Sequence, residues 1–280
     1  MSNTTEIITY VSDEQFERLK DRYNEINNSF RETAIYRVGE SQGFHSEVDA
    51  MMQSMLYCYH NKIKFVLYGE SANFASEGNG WKEFFESFCE ENSDKENMLF
   101  NRRHELSWKH PLWKLRLHLF KKKNNAQYLN QDIFFKAIGE EFNKIKVREW
   151  KEFGINGIAE EQWIRFAPIA LRYNKQTKLE VEEKIKSVNL PQEYASVQIR
   201  QGDKNIEFDR LITCEDIIDG IEKKGIEIKN LFIFADDYRS IIKMRELRPD
   251  WNIYTLTRED ERGYYNAEFQ KKEWSQKRAD

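Results

Sequence analysis

The stretch ASVQIRQGDK, residues 195–204, decides how the chain is read. An apolar strand pattern runs without a break into Arg200, Gly202, Asp203 and Lys204. Downstream, NLFIFA (230–235) and NIYTL (252–256) read as two further strands, separated by helical periodicity over about 214–224 and 237–247. The order β-α-β-α-β is the half-unit of a doubly wound nucleotide-binding sheet, whose ligands gather beyond the carboxyl ends of the strands. Arg200 falls at that end of its strand.

Upstream, the spacing of Phe16, Leu19, Tyr23 and Ile26 predicts an amphipathic helix over 13–29. AIYR (34–37), EVDAMMQSMLYCYH (47–60) and KFVLYG (64–69) read as strand, buried helix and strand, again the order of a parallel pair. Between the two strand-bearing halves the chain reads as a cluster of helices, over 81–92, 130–153, 160–173 and 177–187, while 101–123 mixes basic and aromatic residues around Pro111. The fold expected is therefore α/β, two Rossmann-like halves with a helical middle. The division expected is an N-terminal α/β domain over 1–175 and a nucleotide-binding domain over 176–280.

With 40% of its 280 residues hydrophobic and 14% aromatic, the chain has material for full cores. Lys plus Arg number 44 against 48 Asp plus Glu, a net charge of −4, so any anion site must be local rather than a global field. Cys58, Cys89 and Cys214 are too far apart for a CxxC pair or a zinc knuckle. The first thirty or so residues lack a basic-then-apolar leader, and nowhere do about 18 apolar residues run together. A cytoplasmic protein without a membrane span is the expectation. The five histidines form no HExxH or i, i+4 pair, and neither metal nor other cofactor is expected.

The candidate site residues lie at the predicted sheet edge. A guanidinium at Arg200 can grip phosphate oxygens in a bidentate way that an ammonium cannot, and Gly202 lets backbone N–H groups approach the same anion. Asp203 is placed to orient the arginine or to bond a sugar hydroxyl. Asp236 and Asp237 end the neighbouring strand, as binders of ribose or as caps of the next helix. GESQGFHSEVDAMM (39–52) repeats the pattern of strand, glycine and helix N-terminus, with Gly43 as its candidate anion-binding glycine. YGESANFASEGNGW (68–81), with three glycines and a ring at each end, reads as an ordinary surface loop.

Four stretches in order resemble the inverting α-1,6-fucosyltransferases of core N-glycan fucosylation and nodulation-factor synthesis: 43–81, EQWIRFAPIALRY (161–173), SVQIRQGDK with Glu207 after it, and LFIFADD (231–237). The family pattern H-V-R-R-x-D is met here by Gln198, Ile199, Arg200, Gln201, Gly202 and Asp203, so the first arginine is kept while the second arginine and the histidine are glutamines. The resemblance implies a GT-B-like fold with the donor on the C-terminal half and the acceptor on the N-terminal half. It implies GDP-fucose as donor, a glycan acceptor, inversion without a metal, and Arg200 on the diphosphate. Nucleotide-sugar contacts are expected from Gln198, Arg200, Gly202, Asp203, Lys204, Asp236, Asp237 and Gly43. The proton acceptor is expected to be Glu207, with Asp203 second. The family also carries an acidic strand-helix segment and a T-F-S-S loop beyond this point, so the donor domain is expected to be incomplete.

Two alternatives stand beside this reading. One is a catalytically inactive member of the same fold that binds a sugar nucleotide or glycan. The other, of a different class, takes RRHELSWKHPLWKLRLHLFKKK (102–123) as a surface for single-stranded nucleic acid, since basic residues alternate there with rings and leucines. The bland reading of that segment is a helix with Trp108, Leu112, Leu115 and Leu119 turned to the core; the favoured reading has no nucleic-acid partner.

Overall fold

The computed structural model describes residues 12–40, 43–76, 79–104, 111–203, 211–269 and 271–273. In chain order the elements are α1 (Asp13–Asn28), β1 (Glu32–Arg37), α2 (Phe44–His60), β2 (Ile63–Tyr68), α3 (Asn97–Phe100), α4 (Pro111–Lys123), α5 (Asn130–Ala137), α6 (Glu140–Asn143), α7 (Ala159–Gln162), α8 (Ala167–Ala170), α9 (Lys175–Val188), β3 (Ala195–Ile199), α10 (Cys214–Lys223), β4 (Asn230–Ala235), α11 (Tyr238–Leu247), β5 (Asn252–Thr255) and α12 (Asn266–Phe269). The chain forms two compact units, 1–177 and 178–280. Each holds a parallel sheet, so the α/β expectation is met in both halves.

In the first unit, β1 and β2 pair in parallel from Glu32 opposite Ile63 to Arg37 opposite Tyr68. The two-residue period of the strands splits their side chains between two cores. Ala34, Tyr36, Phe65 and Leu67 join Met51, Met55, Leu56 and Tyr59 of α2, while Ile35, Val66 and Tyr68 meet Phe100, Phe120 and Leu129 on the opposite face. Strands buried on both faces read as unbroken apolar runs, which is why KFVLYG was legible. Both edges of this narrow sheet are covered by single bridges, Ala34 with Tyr128 and Leu67 with Glu91.

The middle region departs from expectation. Residues 81–92 do not form a helix: a short 3-10 turn over Gly80–Glu83 gives way to irregular chain that pairs at Phe85 with Tyr173 and at Glu91 with Leu67. Trp81, Phe85 and Phe88 recur at helical spacing, yet they bury in the core as packed rings, Phe85 stacked on Trp81 and Phe88 edge-on to it. Tertiary packing thus overrides the period. The long helix expected over 130–153 stops at Ala137; Gly139 then caps α6, and Trp150 pairs with Ile155 across a turn at Gly154, whose φ is +63°. Residues 160–173 are broken into α7, a 3-10 turn and α8, with Pro168 in the first turn of α8.

Helix α4 is also turned the other way from the expectation. Trp113, Leu117 and Phe120 face the second core, and Leu112, Leu115 and Leu119 face solvent. Trp108 lies outside the described residues. The loop from Tyr68 to Trp81 is likewise more than a surface loop, because both end rings are buried and Trp81 N–H donates to Gly69 O at 3.1 Å.

In the second unit, the parallel order β3-β4-β5 matches the expected β-α-β-α-β. Ile199, Leu231 and Ile233 pack with Cys214 of α10 and with Ile241 and Met244 of α11 on one face. The other face carries Ser196, Gln198 and Phe234, all exposed, and Phe232, which is buried against the Tyr194 and Phe234 rings. The alternation in ASVQI already encodes the one-sided burial of β3.

Candidate functional site

The carboxyl edge of β3 and β4 is organised by Asp236. Its Oδ1 accepts from Gln201 N–H at 2.8 Å, its Oδ2 from Tyr264 N–H at 3.1 Å, and its carbonyl from Gly263 N–H at 2.8 Å. Asp203 N–H donates to Tyr264 O at 2.9 Å, completing a clip between the loop after β3 and the segment around 261–265. Gly202 sits at the centre of this contact with φ +58°, and a Cβ there would lie 2.2 Å from Tyr264 O. Only glycine meets both demands.

This clip fixes the base of Arg200 while leaving its end accessible. The Arg200 side chain is 46% exposed, its Nη2 is 3.6 Å from Asp203 Oδ1, and its central carbon lies 5.5 Å from the centroid of the Tyr264 ring. Asp203 Oδ1 is shielded from solvent and makes no hydrogen bond to a described residue. Burial, reinforced by the charge of Asp203, pushes the Tyr264 phenol above its ordinary value. The result is a guanidinium lying near a ring, held by a long ion pair at the sheet edge where ligands of such folds collect.

Asp237 is the N-cap of α11, accepting from Arg239 N–H at 2.9 Å and pairing with the Arg239 guanidinium. The guanidinium's hydrogen bonds, with the backbone one adding to them, hold the Asp237 carboxyl below its ordinary range. Of the two acids ending β4, one caps and the other clips backbone. Gln198 points from the exposed face of β3, opposite Phe234 in register. Lys204 and Glu207 lie outside the described residues.

The first unit places a different constellation after β1. Gly43 is the N-cap of α2 in extended backbone, with no atom within 4 Å of where a Cβ would stand. The glycine that geometry requires is Gly39, at φ +86° and with a Cβ position 2.5 Å from Ala72 Cα. Glu47, fully buried in the first turns of α2, accepts from Gly39 N–H at 2.8 Å and pairs with Arg103, itself 4% exposed. Arg103 stacks over Phe134 at 4.4 Å, and its Nε and Nη1 make no hydrogen bond. Arg37, at the end of β1, donates to Ser71 Oγ and to the carbonyls of Met98 and Asn101. Asn130 bridges Arg37 O and Glu40. These groups form a polar knot beneath the loop after β1.

Sequence reasoning missed Tyr264, Gly263, Gly39 and the Glu47–Arg103 pair. Gly263 beside two tyrosines was a usable signal for a tight approach. Nothing local marks Glu47 and Arg103 as partners, since 56 positions separate them. Among the described residues, no three His, Cys, Asp or Glu side chains gather as metal ligands, and no helix is long and apolar enough to cross a membrane.

No protein-family model matches the chain, and no curated protein matches it at a significant level. Solved structures do. The fucosyltransferase NodZ from Bradyrhizobium is 12% identical, with a TM-score of 0.46 over 81% of this chain and 79% of that one. NodZ α-1,6-fucosyltransferase co-crystallized with GDP is 12% identical, with a TM-score of 0.45 over 81% of this chain and 78% of that one. POFUT1 in complex with GDP-fucose is 10% identical, with a TM-score of 0.44 over 82% of this chain and 85% of that one. In outline the chain is similar to these fucosyltransferases. A likeness at TM-scores below 0.5 is one of outline alone and carries nothing about activity.

Proposed function

We propose that the chain is a glycosyltransferase that binds GDP-fucose on its second unit and moves fucose, with inversion, to a hydroxyl of a glycan acceptor. The observation that carries this reading is Arg200, an accessible guanidinium at the carboxyl end of β3 whose base is fixed by the Asp236 clip. A guanidinium so held presents parallel N–H groups to two phosphate oxygens. The donor sugar and its guanine are supported by the sequence resemblance in 196–204 and 231–237.

In the proposed reaction the acceptor oxygen bonds to the anomeric carbon as the bond from that carbon to the diphosphate oxygen breaks. Negative charge grows on the departing diphosphate, where Arg200 opposes it. The acceptor proton passes to a carboxylate. Glu207 is the first candidate and Asp203, beside Arg200, the second. No metal enters this scheme. Asp236 acts as a positioning residue, while Gly202 keeps the loop close to Tyr264. The alternative, binding without turnover, finds support in Gln201 standing where the family pattern has its second arginine.

Thermal unfolding with GDP, GDP-fucose, GDP-mannose, UDP and UDP-glucose tests the donor site. A ligand at about a hundred times its dissociation constant stabilises by roughly 2.7 kcal/mol. The expected outcome is a shift with GDP and GDP-fucose that disappears in Arg200→Ala, whose unliganded melting stays as in the parent because the side chain is half exposed. A shift with no nucleotide, or one that survives Arg200→Ala, overturns the reading. Release of GDP in the presence of glycan acceptors separates a transferase from a binding protein.

A further inference from the structure

Helix α4 has two apolar faces and one core. Trp113 and Phe120 turn inward onto Phe100, with ring centroids 4.9 and 5.2 Å away, and Leu117 packs beside them. Leu112, Leu115 and Leu119, spaced i, i+3 and i+7, make a second stripe on the outside and are 62%, 53% and 52% exposed. Large aliphatic side chains in a row on a solvent face are not needed by the fold.

The charges around that stripe give it a direction. Lys114, His118 and Lys122 run along one flank and Arg116 and Lys123 along the other, all exposed, and PLWKLRLHLFKKK contains no acidic residue. Lys121 and Lys123 are engaged by Asp132 and Asp94, and the Arg116 guanidinium lies over the Phe100 ring, 5.6 Å from its centroid, which leaves Lys114 and Lys122 as the cations bordering the leucines. The whole chain has a net charge of −4, so this strip is a local positive field on an acidic protein.

We propose that α4 is an interfacial helix that lies on an anionic lipid surface, with Leu115 and Leu119 entering the acyl boundary and Lys114 and Lys122 meeting the headgroups. Helices with this partition of leucine and cation bind in the membrane plane without spanning it. Nucleic acid is the poorer occupant: single-strand platforms offer flat rings to the bases, whereas the rings of α4, Trp113 and Phe120, are turned into the core and the outward apolar groups are aliphatic. The inference is independent of the proposed transferase activity.

Co-sedimentation of the full chain with vesicles tests it. Neutral phosphatidylcholine vesicles are compared with vesicles containing about one third phosphatidylserine, at low and high salt. Binding to the anionic vesicles alone, weakened by salt, is expected. A basic side chain near such a surface contributes roughly fivefold to binding, so Lys114→Glu with Lys122→Glu should lower it by at least about tenfold. Leu115→Ser with Leu119→Ser should lower it similarly while leaving the melting temperature in place, since both side chains already face water. Absence of binding to anionic vesicles overturns the proposal. So do equal binding to both vesicles, unchanged binding by both double variants, capture of oligonucleotides without vesicle binding, or a dimer lost on replacing the leucines without vesicle binding.

Discussion

At the scale of single residues, the chain distinguishes charges that hold the fold from charges left for chemistry. Glu47 and Arg103 are of the first kind, both shielded from solvent and paired within the first unit. Such a pair adds little over apolar residues of the same size, but breaking it strands a charge in a low-dielectric core. Arg103→Met is therefore expected to cost about 3–5 kcal/mol, read from the urea midpoint at unchanged slope. Arg200 is of the second kind, half exposed and loosely paired. It was legible because a guanidinium directly after an apolar strand has few structural duties. Glu47 was not, because its reason for being buried lies on a different element.

At the scale of elements, α2 ends on a histidine whose protonation couples to folding. A helix C-terminus ordinarily favours a protonated imidazole. Here burial, with the charge of Arg148 adding to it, moves His60 below its ordinary value of 6.5, and its Nδ1 finds no hydrogen-bond partner. The ring is set edge-on against Phe142, centroids 5.8 Å apart. The folded state thus prefers the neutral ring, and its contribution is fully present above about pH 6.5. It is lost as pH falls from there through the lowered folded value, because the unfolded chain takes up the proton first. Denaturant midpoints between pH 7.5 and 5 should decline in the parent and decline less in His60→Gln. Elements with one dominant pattern, such as α1, α10, α11 and the five strands, were readable to within a few residues. Segments 81–92, 130–153 and 160–173 were not, since their rings follow a helical spacing while Gly139, Gly154 and Pro168 interrupt the backbone.

At the scale of the whole molecule, each hydrophobic cluster among the described residues draws on one unit. Two draw on residues before 172 and the third on residues 195–253. The two clusters of the first unit share the strands β1 and β2 and so form one cooperative unit, and the third core forms another. Calorimetry is expected to resolve two transitions, with Arg103→Met lowering only one. Gly202→Ala, which would force a Cβ to within 2.2 Å of Tyr264 O at a positive φ, should lower only the other. A single transition moved by both variants would show that the cores are coupled.

By itself, the sequence determined the α/β class, the parallel strand pairs in both halves and the presence of a cation at a strand end, since each follows from local periodicity and local chemistry. Only the tertiary structure decided which face of α4 is buried, that Asp236 clips two backbone segments and that Glu47 meets Arg103. Those outcomes depend on groups brought together from distant positions, where the cost of an unpaired charge or an uncovered ring is settled by neighbours that no local window contains.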